Sequence, residues 1–151
     1  MRIFLDTNVI MDYLTSRGDV EIIGKIFRSI DSGEHIAFIS IGSYYTIVYL
    51  TERFLKAQGL KNPQRLIRMR EILTTLLDSI EVAGHTREEL MTGTNDVQFK
   101  DLEDSLQLQA AKSSFCPYLI TSNKKDFRES DSTTIDVLTP KEFAKQFLAT
   151  P

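Results

Sequence analysis

Two acidic segments far apart in this chain carry the residue types of a cation site. The first is Asp6, which ends the apolar run Ile3-Phe4-Leu5 and is followed by Thr7-Asn8. A buried strand has no packing use for a terminal carboxylate, and an open α/β sheet places its chemistry at the carboxyl ends of its strands. The second is Lys100-Asp101-Leu102-Glu103-Asp104-Ser105-Leu106. If a helix begins at Asp101, residues three apart share a face, so Asp101 and Asp104 project together and Glu103 points away from Asp101. Brought to one place, Asp6 and this pair would hold a cation. The plainer reading of the second segment is that acids in a first turn suit the positive end of a helix dipole.

The elements that must position these groups alternate strand and helix along the chain. Thr7 and Asn8 can cap a helix over Val9–Leu14. Asp19 to Ser32 carries Ile22, Ile23, Ile26, Phe27 and Ile30 at helical spacing and stops at Ser32-Gly33. Ile36–Ile39 is a short apolar strand, Gly42 to Gln58 a long helix ended by Gly59, and Pro63 to Leu77 another helix. Ile80–Val82 reads as a strand, Thr86–Met91 as a short helix with Glu88 and Glu89 in its first turn, and Asp101–Ser114 as a helix with Leu102, Leu106 and Ala110 as its core stripe. Tyr118–Thr121 and Ile135–Leu138 are further strands, the last at an edge, and Thr139-Pro140 opens a final helix through Phe147. This alternation predicts an α/β fold with a parallel sheet covered on both faces and right-handed crossovers. Strand order does not follow from the pattern.

At 151 residues the chain suits one domain with a proper core. Its net charge of −3 does not announce a nucleic-acid binder, since such proteins are usually basic, so any such role needs a local basic rim. The single cysteine, Cys116, excludes an intrachain disulfide and fits a reducing compartment. There is no apolar run of membrane-spanning length and no signal-peptide pattern, so a cytoplasmic location is expected. His35 and His85 are isolated and lack metal-ligand spacing.

Three segments in order, Asp6-Thr7-Asn8, Asp101-Leu102-Glu103-Asp104-Ser105-Leu106-Gln107 and Leu119-Ile120-Thr121-Ser122-Asn123-Lys124-Lys125-Asp126-Phe127, together resemble a PIN domain, the fold of the toxins in VapBC-type toxin–antitoxin pairs. The resemblance runs from Arg2 to the terminal helix. It implies a three-layer α/β/α sandwich with a central parallel sheet of about five strands, and acids at its carboxyl edge that hold Mg²⁺ or Mn²⁺ for RNA cleavage. Carried over by position, Asp6 is the first acid and Asp104 the third, Asn123 falls where many relatives have a fourth acid, Asp126 lies just beyond, and Asp101 is an accessory. The second acid of the pattern falls at Thr46, which has no carboxylate, and Glu52 lies more than a turn further on and reads as a surface residue. Mg²⁺ keeps several waters and often needs only one or two carboxylates, so the set favours one firmly held ion.

Around that site, Lys124 and Lys125 would contact phosphate oxygens or simply form a solvated loop. Asn8 belongs to the substrate-facing set, and Ser40 either orients Asp6 or caps the helix that follows it. Lys61, Arg65, Arg68 and Arg70 read as an exposed helix face or an RNA rim, and Tyr44, Tyr45 and Tyr49 as packing residues or stacking platforms. The resemblance implies RNA as substrate, a cognate antitoxin as partner and a homodimer; the sequence motive for the dimer is the helix Gly42–Gln58, apolar around much of its girth. An alternative is a PIN-like module with a degraded site that binds RNA or a partner without cutting. A haloacid-dehalogenase-type phosphatase would need a second Asp where Asn8 stands.

Overall fold

The computed structural model describes residues 1–127 and 134–148. Five parallel strands, β1 (Arg2–Leu5), β2 (Ile36–Ser40), β3 (Ile80–Ala83), β4 (Tyr118–Ile120) and β5 (Asp136–Leu138), lie in the order β3-β2-β1-β4-β5. The chain starts in the middle of the sheet, builds β2 and β3 outward on one side, then returns to lay β4 and β5 on the other. The order therefore reverses between β1 and β4, and a crevice opens outside their carboxyl ends, where open α/β sheets bind ligands. Asp6 follows β1 directly, and its amide donates to Ile120 O at 3.0 Å, at the end of β4.

Alternation along each strand divides the core between the two faces of the sheet. Ile3, Leu5, Ile39, Ile120 and Leu138 point to one side, where α1 (Thr7–Leu14), α2 (Val20–Asp31), α3 (Ile41–Ala57), α4 (Gln64–Ser79) and α7 (Pro140–Phe147) bury Ile10, Ile26, Ile47, Leu73 and Phe143. Phe4, Leu119 and Val137 point to the other, against Phe99, Leu108, Ala110, Ala111 and Phe127. That second face is covered by α6 (Leu102–Ser113), which packs on β2 and β4 and is backed by α5 (Arg87–Thr94). The close approach of α5 to α6 is made at Gly93, where a Cβ would sit 2.7 Å from Leu106 Cδ2 and where the Ser105 hydroxyl donates to the Gly93 carbonyl at 2.7 Å.

Two details differ from the sequence expectation. Of the expected α6 stripe only Ala110 is buried: Leu102 is 51 % exposed and Leu106 half-buried, and Ser105, Gln107, Leu108 and Ala111 are buried with Ala110. Small residues let α6 lie close on the sheet, so its leucines are not all needed underneath it. The girth of α3 is largely covered within this chain, because α1 and α4 pack on it and leave Tyr44, Val48 and Phe54 partly buried. Ile41, Tyr45 and Tyr49 remain exposed. Among the described residues no helix is long and apolar enough to cross a membrane.

Candidate active site

Asp6 is held before anything approaches it. Its backbone is extended (φ −69, ψ 152) and its side chain caps α1. One carboxylate oxygen, Oδ1, accepts from Thr7 N at 2.7 Å and from Gln107 Nε2 at 2.6 Å, while Oδ2 accepts from Thr121 Oγ1 at 2.7 Å. The group is 4 % exposed. Burial pushes its pKa up to about 6; the hydrogen bonds from Thr121 and Thr7 oppose that rise, and the nearby charges of Glu103 and Asp101 add to it.

Asp104 differs in kind. It lies in the first turn of α6, half-buried, and accepts no hydrogen bond among the described residues. Burial, then the negative charges of Asp6, Asp101, Asp126 and Glu103, push its pKa up to about 7. It rises further than the more buried Asp6 because no donor stabilises its charged form. One carboxylate is oriented by three donors and keeps a lone pair on Oδ2; the other has its lone pairs free and sits in a strongly negative field.

An open cleft of about 330 Å³ contains this pair, together with Asn8, Asp101, Asn123 and Asp126 from the sequence-predicted set and Thr46 from α3. Asp101 is not a helical residue but the cap of α6: its Oδ1 accepts from Glu103 N at 2.8 Å and Asp104 N at 3.4 Å. Because its backbone is extended, helical spacing counted from Asp101 misdirects Glu103. Glu103 in fact lines the cleft, and its Oε1 accepts from Thr7 Oγ1 at 3.2 Å. Asn8 ties down the end of β4, with Oδ1 accepting from Ser122 N at 3.1 Å and Nδ2 donating to Thr121 Oγ1 at 3.4 Å. Asn123 donates through Nδ2 to Asp126 Oδ2 in the 3₁₀ turn Lys124–Asp126.

Other expected residues lie elsewhere. Ser40 is buried and caps α3, its hydroxyl accepting from Ser43 N at 2.9 Å, so it neither touches Asp6 nor lines the cleft. Its influence reaches the site only in relay, since Ser43 Oγ lies 2.6 Å from Thr7 Oγ1. Lys124 turns its ammonium to Glu142 at 3.1 Å, and neither Lys124 nor Lys125 is among the cleft-lining residues. Arg68 pairs with Glu71 at 3.1 Å and Arg65 donates to the Leu60 carbonyl at 3.3 Å, away from the acids. Glu52 pairs with Lys56 at 3.3 Å on the outside of α3. Glu52→Gln should therefore leave catalysis at the cleft within about twofold of wild type in a steady-state assay, because Glu52 is paired with Lys56 and does not line the cleft. Buried His35 sits 3.0 Å through Nδ1 from Ser29 Oγ, and burial lowers its pKa; it has no part in the cleft.

Sequence reasoning missed Thr7, Asp12, Arg17 and Glu103 in the lining and Gln107 and Thr121 behind it. Gln107 carried a legible signal, as a polar residue one turn on from Asp104 in a helix that must pack on a sheet. Thr121 carried none without the pairing of β1 with β4. The Gln107 amide is oriented by chemistry, because its oxygen in place of its nitrogen would face the Asp6 carboxylate. Its Oε1 is left without a partner among the described residues, a cost accepted at a position that also donates to Thr7 Oγ1 at 2.9 Å.

Among the described residues no three His, Cys, Asp or Glu side chains stand ready as ligands to one point. The donor set is nonetheless all oxygen and crowded with negative charge, which fits a hard cation that keeps much of its water. The crowding has a consequence for stability. Both carboxyls are raised from 3.8, so the folded chain binds protons more tightly than the unfolded one. Stability from this source is complete below about pH 4 and is lost as pH rises through about 6 and then 7. In chelator, the melting temperature should fall across that window, and the fall should be reduced in Asp104→Asn.

A model of the PIN domain matches residues 2–125. The chain is 31 % identical over 147 residues to Ribonuclease VapC1 of Aquifex aeolicus (strain VF5), covering 97 % of this chain and 95 % of that one. Its fold is similar to VapBC2 from Rickettsia felis, solved bound to a DNA fragment from its promoter (TM-score 0.65, 12 % identity, 92 % of this chain and 98 % of that one). It is similar also to VapBC-1 from nontypeable Haemophilus influenzae (TM-score 0.64, 18 % identity, 93 % and 99 %). With its central parallel sheet, its strand-end aspartate and a match across most of its length, this chain belongs to the PIN domain family.

Proposed function

We propose that this chain is a divalent-metal-dependent ribonuclease, the toxin of a toxin–antitoxin pair, and that it cuts RNA phosphodiesters by attack of water. The observation that carries this reading is the contrast between Asp6, oriented by three donors, and Asp104, free of donors and repelled by four acids, in one cleft at the point where strand order reverses. Similarity to a protein named a ribonuclease supports the activity, and similarity to toxin–antitoxin complexes supports an antitoxin as partner.

Mg²⁺ or Mn²⁺ fits the donor set. Asp104 and Asp6 would hold it, with Asn123 and Asp126 beside them and Asp101 and Glu103 adding negative field. When bound, the ion lowers the pKa of a coordinated water and offsets the charge that builds on the phosphoryl oxygens. This chain's own part is positional. Thr7, Gln107 and Thr121 fix Asp6, Asp101 sets the start of α6 and so the aim of Asp104, and Asn8 fastens the β4 end to the β1 end. The reading puts the protein in the cytoplasm with its RNA. A homodimer belongs to it as well, though the covered girth of α3 leaves that less surface than the sequence suggested.

A second reading, a module that binds RNA or a partner without cutting, draws on Thr46, which lines the cleft with a hydroxyl that donates to the Gly42 carbonyl at 3.3 Å. Titrating Mg²⁺ or Mn²⁺ into the protein with a mixed RNA pool separates the two. Cleavage that rises with metal supports the nuclease, binding without cleavage supports the module, and neither binding nor cleavage overturns both.

A further inference from the structure

An acidic cleft repels a polyanion, so the cations that bring RNA to it must come from its surroundings, and some are already committed. Lys124 is held by Glu142 and Lys56 by Glu52. Arg17 and Arg53 are exposed and make no ion pair among the described residues. Arg17 lies in the turn after α1, between Ser16 (φ 54) and Gly18 (φ 57), and lines the cleft itself. A second hollow of about 370 Å³ runs between α1 and α3, lined by both arginines and by Phe54. It shares Met11, Arg17 and Leu50 with the acidic cleft, so the two hollows adjoin, one lined by the acids and the other by Arg53. Along α3, Tyr49 stands one turn before Arg53 and Tyr45 one turn before Tyr49; they lie outside the lining of both hollows, on the adjoining surface of α3, with 63 % and 70 % of their surface exposed.

We propose that the α1–α3 groove is the track for a single-stranded stretch of the RNA, with Arg17 and Arg53 on phosphates beside the scissile one and Tyr49 and Tyr45, on the α3 surface next to the groove, as platforms for unpaired bases. This rests on the ribonuclease reading above. Cations beside exposed aromatics are what a single strand needs, since phosphates want charge and unstacked bases want a flat apolar face. A duplex has its bases stacked on one another and offers none to Tyr49. The charge gradient also sets direction: the strand is anchored at the basic end and leads into the acids.

The test is cleavage kinetics with a single-stranded RNA oligonucleotide and Mn²⁺, alongside fluorescence anisotropy of the same RNA over a salt series. Arg53→Ala should raise KM about tenfold with kcat unchanged, and should lower the salt slope of log affinity by about 0.7 for its one phosphate. Tyr49→Ala should raise KM about tenfold, and Tyr49→Phe, which keeps the ring, should restore it. A blunt duplex of the same sequence should bind more weakly and be insensitive to Tyr49→Ala. Unchanged KM and salt slope in both alanine variants would overturn the track while leaving the nuclease standing. The track is equally overturned if those variants spare RNA binding but convert a dimer to a monomer in sedimentation equilibrium, which would make the face an interface between copies. Failure of the unmodified chain to bind or cut any RNA would overturn the ribonuclease reading and the track together.

Discussion

Asp104→Asn should lower metal-dependent RNA cleavage by about 10³-fold or more, with the circular dichroism spectrum unchanged. The magnitude follows from what a positioned divalent ion supplies, several kcal/mol of stabilisation of transition-state charge. Asp104 is the carboxylate with lone pairs to give, because it accepts no hydrogen bond among the described residues and its charge is opposed by Asp6, Asp101, Asp126 and Glu103. The same crowding gives the substitution a second signature. Removing one like charge from the cleft relieves repulsion, so the metal-free variant should melt slightly above wild type at pH 8. A variant that is both dead and less stable would point to a structural role for Asp104. Full cleavage by Asp104→Asn would show that the activity belongs to another site or a contaminating nuclease.

Gln107→Leu should lower kcat by about 10–100-fold, the scale on which partners behind a ligand act. Leu approximates the volume and removes the donor that reaches Asp6 Oδ1 at 2.6 Å and Thr7 Oγ1 at 2.9 Å. The Asp6 carboxylate then loses a charge-assisted hydrogen bond, and its pKa, already about 6, should rise further. The acidic limb of the kcat profile should therefore move to higher pH. That shift separates a positioning residue from one that merely packs, since a packing defect lowers activity without moving the profile. An unaltered pH profile with unaltered kcat would remove Gln107 from the account.

Much of this could be read from residue order, and the misreadings have local causes. Asp6 was legible because a carboxylate ending an apolar strand has no packing explanation, and Asp104 because its segment and the strand-end segments recur together in one family. The strands and helices followed from periodicity, down to the edge position of β5. What could not be read was adjacency. The hydroxyl of Thr121 touches Asp6 across 115 residues only because β4 pairs with β1, and parallel crossovers leave no trace of strand order in local pattern. Glu103 was aimed wrongly for a different reason: one residue of extended backbone at Asp101 shifts the start of the helix, and with it the face of every side chain counted from that start. By sequence Ser40 fits two roles, and in the structure its hydroxyl is taken by Ser43 N. Lys124 was placed next to the acids by sequence and is drawn off by Glu142, which also completes the capping box of α7.

Mn²⁺ calorimetry at pH 6.5, run in two buffers of different ionisation enthalpy, decides whether Asp6 and Asp104 form a cation site at the β1–β4 crevice. Near that pH a carboxyl raised to about 7 is largely protonated, so binding should be accompanied by release of close to one proton, and the apparent enthalpy should differ between buffers. Asp104→Asn should bind at least about tenfold more weakly and release less. Binding of equal strength in wild type and Asp104→Asn, with the same proton release, would show that Asp104 holds no cation in this crevice.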